Sequence, residues 1–215
     1  MNTVDRSAGE YAHHFDSAEH EFESSKFGTW LFLCTEVLMF GGLFVAYFIF
    51  SNLFPETFLE GATYLDWKFG AVNTAVLLFS SFTMVMAIYY AQNNNNKKAA
   101  NMLMITFVCG LIFMVIKYLE YSHKIELGLL PGNLYSFEGA ESANLGLYFS
   151  IYYCMTGLHG SHVIIGMGLI LWCWNRCRKD EFNSGYFTPL ECVGLFWHLV
   201  DLIWIYLFPL LYLVD

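Results

Sequence analysis

Apolar residues gather into five long stretches, at about 28–51, 69–91, 100–121, 146–174 and 191–213, separated by short polar breaks. Each reaches the roughly 20 residues that a helix needs to cross a bilayer. The break at Asn93 to Asn96, followed by Lys97 and Lys98, is a polar turn. The longest connection, Ser122 to Leu145, carries Pro131, Gly132 and Gly139 together with Glu126, Glu138 and Glu141, and reads as a lid outside the membrane. Short connections force neighbouring helices to run antiparallel. The pattern predicts an all-α polytopic membrane protein, a bundle of five transmembrane helices over residues 27–215 behind a polar tail over residues 1–26.

Composition agrees with this class. Hydrophobic residues make up 57% of the chain and charged residues 13%, against about 25% charged in a soluble domain. The net charge of −9 disfavours nucleic acid, which selects basic surfaces. Much of it lies in the tail, where Asp5, Glu10, Asp16, Glu19, Glu21 and Glu23 outnumber Arg6 and Lys26. The tail lacks the basic start and short apolar core of a secretory leader, so the first span is expected to target the chain. The six cysteines include no C-x-x-C pair and read as buried thiols rather than a disulfide frame or a metal site.

Lysine and arginine give an orientation. With the N-terminus cytoplasmic, the inner segments hold Arg6, Lys26, Lys97, Lys98, Arg176, Arg178 and Lys179, and the outer side only Lys68, Lys117 and Lys124. That bias is the positive-inside pattern, and it places the C-terminus outside.

The candidate chemistry lies in ionisable residues at membrane depth, each costing roughly 2.5–3.5 kcal/mol on insertion scales. Glu36 stands in the first stretch, His159 and His162 in the fourth, and Glu191, His198 and Asp201 in the fifth. At 100° per residue the last three share one stripe, which must face protein or a wet cavity. At the depth of Glu36 a carboxyl is expected to be protonated unless a histidine pairs with it. Three readings remain open for these residues: haem ligation by His159, His162 and His198, a proton relay with Glu36 and Asp201, or hydrogen bonding between helices. The haem reading suffers because His162 and His198 stand at depths differing by about 10 Å. His13, His14 and His20 read as tail residues, not ligands.

Five segments, in order, carry a resemblance: Trp30-Leu-Phe-Leu-Cys-Thr-Glu36-Val-Leu-Met-Phe, Asn73-Thr-Ala-Val-Leu-Leu, Glu120-Tyr, Thr156-Gly-Leu-His-Gly-Ser-His-Val-Ile-Ile-Gly166, and Phe196-Trp-His-Leu-Val-Asp-Leu-Ile-Trp204. Together they touch all five spans, and the chain resembles subunit III of haem–copper terminal oxidases in the five-helix form common in bacteria. The resemblance implies an accessory, non-catalytic subunit of a respiratory complex that reduces oxygen to water. It implies a place in the bacterial cytoplasmic membrane, packed against oxidase subunits I and II, with a small subunit IV and a larger supercomplex as further partners. Haem and copper would sit in those partners and none in this chain, which would bind phospholipid and support proton uptake and durability of subunit I.

Residue by residue, Glu36, His162 and Arg176 match family positions lining a lipid cleft, with Arg176 suited to a phosphate head group. His159, His198, Asp201 and Glu191 are expected to form a polar network between packed helices. The donor, cytochrome c or quinol, is not legible. Two N-terminal helices of seven-helix members have no counterpart here. Two contrasting readings are a haem b anchor of a quinone-linked enzyme and a small proton-coupled transporter.

Overall fold

A computed structural model describes residues 16–131, 134–137, 139–140, 142 and 144–213. Asp5, Arg6, Glu10, His13, His14, Gly132, Glu138 and Glu141 lie outside the described residues. Six helices follow in order: α1 (Ala18–Leu53), α2 (Pro55–Thr63), α3 (Trp67–Gln92), α4 (Asn96–Glu126), α5 (Leu145–Arg178) and α6 (Thr188–Tyr212). All but α2 are long and apolar enough to cross a membrane, so the five expected spans are present and the chain is a multi-pass membrane protein.

The elements differ from expectation at two places. Helix α1 begins at Ala18, inside the stretch read as tail. Ser17 caps it by accepting from the His20 amide, and Glu19 and Glu21 occupy its first turn, where a helix favours negative charge. About two turns further on, Lys26 ties α1 to α6 through Glu191, Nζ to Oε1 at 2.9 Å. Hydropathy alone misses such a start, because caps and ion pairs are polar. Short α2 also was not anticipated. Pro55 stands at its first position, where the missing N–H costs nothing. It seats Phe58 edge-on against Tyr47 and Tyr148.

Helices α3, α4, α5 and α6 pack in a ring, with the α3–α4 hairpin its most extensive pair. Helix α1 lies outside the ring against α6 and, more lightly, α5. In its most apolar window only 17% of residues are buried, against 50% in α6, so α1 is the peripheral helix and α6 the central one. Two indoles of α6 form the axis of the core. Fully buried Trp197 donates from Nε1 to Ser80 Oγ at 3.0 Å, and Trp204 to Thr74 Oγ1 at 3.1 Å. Both hydrogen bonds cross to α3, so the polar edge of each ring is satisfied inside an apolar packing.

Side-chain contacts fix which helix ends lie together. Lys26 with Glu191, Asn94 with Ser184 and Asn96 with Phe182 join one end. Tyr47 with Leu210, Tyr148 with Leu211 and Glu60 with Ser142 join the other. Of the three cations at this second end, Lys117 and Lys124 are buried and only Lys68 is exposed. The charge asymmetry at the surface is therefore steeper than seven against three.

The glycines of α5 behave unevenly. They read as a set that lets backbones approach, yet nothing lies within 4 Å of a Cβ placed at Gly157, Gly160 or Gly168. Only Gly166 meets a neighbour closely, with Trp197 Cε3 at 2.8 Å. Gly157, Gly160 and Gly168 face open space, which the sequence spacing does not distinguish.

Candidate functional site

Glu36 and His162 meet between α1 and α5. Oε2 of Glu36 lies 2.8 Å from His162 Nε2, and His162 Nδ1 lies 2.8 Å from the Leu158 carbonyl one turn earlier. A carbonyl only accepts, so Nδ1 carries a proton. The contact between Nε2 and Oε2 then holds a single further proton, shared by one carboxyl and one imidazole. Phe40 packs edge-on against the imidazole at 5.3 Å, and Phe196 lies 6.2 Å from it. The pair is 12% and 13% exposed, so it is shielded but not sealed. The condition under which Glu36 is not expected to stay a lone protonated carboxyl, a pairing histidine, is met by His162.

Arg176 does not join this pair. It stands 14 residues further along α5, about 21 Å at the helical rise. Its Nε donates to Glu181 Oε2 at 2.6 Å and an Nη to Tyr186 OH at 3.3 Å. The guanidinium also lies about 5 Å from the Trp172 and Phe182 ring centres. It thus fastens the α5–α6 turn, where Asn183 and Tyr186 form a β-bridge. Sequence spacing put Arg176 at the correct end but did not show Glu181 folding back to it.

The residues grouped as a packing network are dispersed. Glu191 pairs with Lys26, and His198 Nδ1 lies 2.6 Å from Ser81 Oγ on α3. His159 stacks among Phe113 and Trp204, and neither of its ring nitrogens finds a hydrogen-bond partner among the described residues. The carboxyl oxygens of Asp201 likewise find none among the described residues. None of the four hydrogen-bonds another. Among the described residues no three His, Cys, Asp or Glu side chains converge as metal ligands do.

The densest polar cluster lies elsewhere. At the second end of the bundle, Lys117, Glu120 and Lys124 of α4 are all buried. Lys117 Nζ donates to Glu120 Oε2 at 3.0 Å, to Tyr152 OH at 3.1 Å and to Tyr212 OH at 2.9 Å. Lys124 Nζ donates to Glu120 Oε1 at 2.6 Å, and Tyr152 and Tyr212 donate to the same oxygen at 2.8 and 2.7 Å. One carboxylate thus gathers two ammonium groups and two phenols, linking α4 to α5 and α6. The signal was the spacing K-x-x-E-x-x-x-K, which puts all three on one helical face. Charge counting places the lysines on the outer side and says nothing of their burial.

A groove of about 460 Å³ runs between α1 and α6, lined by Trp30, Leu33, Val37, Leu199 and Leu202 with His198 as its polar group. It opens on a different set of α1 positions from Glu36, so the chain carries both a polar pair and an apolar trough on its outermost helix.

Comparison with known proteins agrees with this architecture. The family model described as cytochrome c oxidase subunit III matches residues 9–215. The chain is 27% identical over 200 residues to the probable quinol oxidase subunit 3 of Staphylococcus haemolyticus (strain JCSC1435), covering 93% of this chain and 94% of that protein. It is 29% identical over 206 residues to the protein of the same name in Staphylococcus aureus (strain USA300), with the same coverage. With a family match that spans all five membrane helices and the paired Glu36 and His162, this chain belongs to the cytochrome c oxidase subunit III family.

Proposed function

We propose that this chain is the accessory subunit III of a bacterial haem–copper quinol oxidase, holding phospholipid at the α1–α5 junction and prolonging the working life of subunit I. Two relatives bear the name quinol oxidase subunit 3, which favours quinol as the complex's donor. The exposed cations gather at the end holding Lys97, Lys98, Arg178 and Lys179, so that end faces the cytoplasm and the C-terminus lies outside. Haem and copper belong to the partner subunits, and this chain binds, shields and orients.

The observation that carries the reading is the Glu36–His162 pair at 2.8 Å. A proton shared at membrane depth between a peripheral helix and the ring offers a polar contact to a lipid ester or head group. It also fixes how α1 sits on α5. Interhelical hydrogen bonds in membranes contribute only about 0.6–1.7 kcal/mol. Glu36→Ala combined with His162→Ala is therefore expected to leave the oxidase assembled. The same variant is expected to lose bound lipid and to inactivate after fewer turnovers. Lipid analysis of the purified complex and progress curves of oxygen consumption measure both. Unchanged lipid content with unchanged inactivation kinetics would refute this role for the pair.

A further inference from the structure

A polar cavity, separate from the Glu36–His162 pair, opens between the start of α4 and the end of α5. It encloses about 390 Å³, with Lys97 and Asn101 of α4, Trp174 and Arg178 of α5 and Asp180 in its lining. Although two cations and one anion ring this space, none of the three is ion-paired with another described residue. Buried Asn96 also lines it. Its Nδ2 donates to the Phe182 carbonyl at 2.7 Å, while its Oδ1 has no partner among the described residues. Arg178 lies over the Trp174 ring at 4.8 Å, which holds the guanidinium at the rim.

We infer that this cavity binds the head group of a zwitterionic phospholipid, a phosphate joined to a primary ammonium as in phosphatidylethanolamine. Lys97 and Arg178 supply the phosphate contacts. Asp180 and the free amide oxygen of Asn96 are acceptors, which suit an ammonium and repel a purely anionic group. The ligand is a lipid rather than a free phosphoester because an apolar track leaves the cavity along α4. From Asn101, the positions Ile105, Val108 and Ile112 follow at helical spacing, and all three are exposed. That stripe is a bed for an acyl chain. The inference does not rest on the Glu36–His162 reading.

The test uses the full chain, delipidated in mild detergent and titrated with dioleoyl phosphatidylethanolamine, dioleoyl phosphatidylglycerol or free phosphoethanolamine, with native mass spectrometry counting bound molecules. Phosphatidylethanolamine is expected to bind most tightly. Lys97→Gln with Arg178→Gln is expected to weaken it about tenfold or more, as the loss of two interfacial cations implies. Asp180→Asn is expected to abolish the preference over phosphatidylglycerol while folding normally. Asp180 has a φ of 54°, a conformation that asparagine also adopts. Glu36→Ala is expected to leave this binding unchanged. Equal binding of both lipids to the unaltered chain, no loss in the double variant, or equally tight binding of free phosphoethanolamine would each overturn the inference.

Discussion

Replacing Glu120 by glutamine is expected to destabilise the chain by about 3–5 kcal/mol, the cost of leaving a buried charge without its partner. The side chain is 5% exposed and receives four donors from three helices. Glutamine keeps the shape but removes the carboxylate that bonds both Lys117 and Lys124, so two buried ammonium groups then face each other. Thermal unfolding in detergent, followed by circular dichroism, measures the loss. A triple variant separates charge from packing. With Lys117→Met, Glu120→Gln and Lys124→Met together, no unpaired charge remains, and much of the lost stability is expected to return. A single variant as stable as the unaltered chain would show that the ammonium groups reach solvent.

The second large effect is expected at Gly166. A Cβ there falls 2.8 Å from Trp197 Cε3, and across the indole a Cβ at Gly110 falls 3.1 Å from Trp197 Cη2. The ring thus occupies a slot between α5 and α4, and its Nε1 bond to Ser80 keeps it from swinging aside. Gly166→Val therefore forces α5 away from α6 or breaks that hydrogen bond. Overpacking of this kind costs about 1–3 kcal/mol. Gly157→Val and Gly168→Val, at positions with nothing within 4 Å, are expected to leave stability near its original level. Equal sensitivity at all three glycines would contradict the slot.

Hydropathy carried most of the architecture. Five apolar stretches became five spanning helices, because a membrane leaves a long apolar segment few alternatives to a helix. The sequence showed Glu36 as a carboxyl that stays protonated at that depth unless a histidine pairs with it, but not that His162 is the one that does. What the sequence left hidden were contacts decided by tertiary placement. Arg176 was suited to phosphate in isolation, but Glu181 returns to it through a turn no periodicity describes. Lys117 and Lys124 read as charges on the outer side, with no sign in the sequence of their burial. Their burial depends on Tyr152 and Tyr212 arriving from α5 and α6. Likewise, His198 and Asp201 share a helical stripe, but only the position of Ser81 on α3 gives His198 its bond.

The measurement that bears most directly on the accessory-subunit reading is mass spectrometry of what co-purifies with the tagged chain from its native membrane in mild detergent. The reading predicts a large haem–copper subunit and a second oxidase subunit in stoichiometric amounts. Recovery of the chain alone, or with a flavoprotein dehydrogenase, would contradict it.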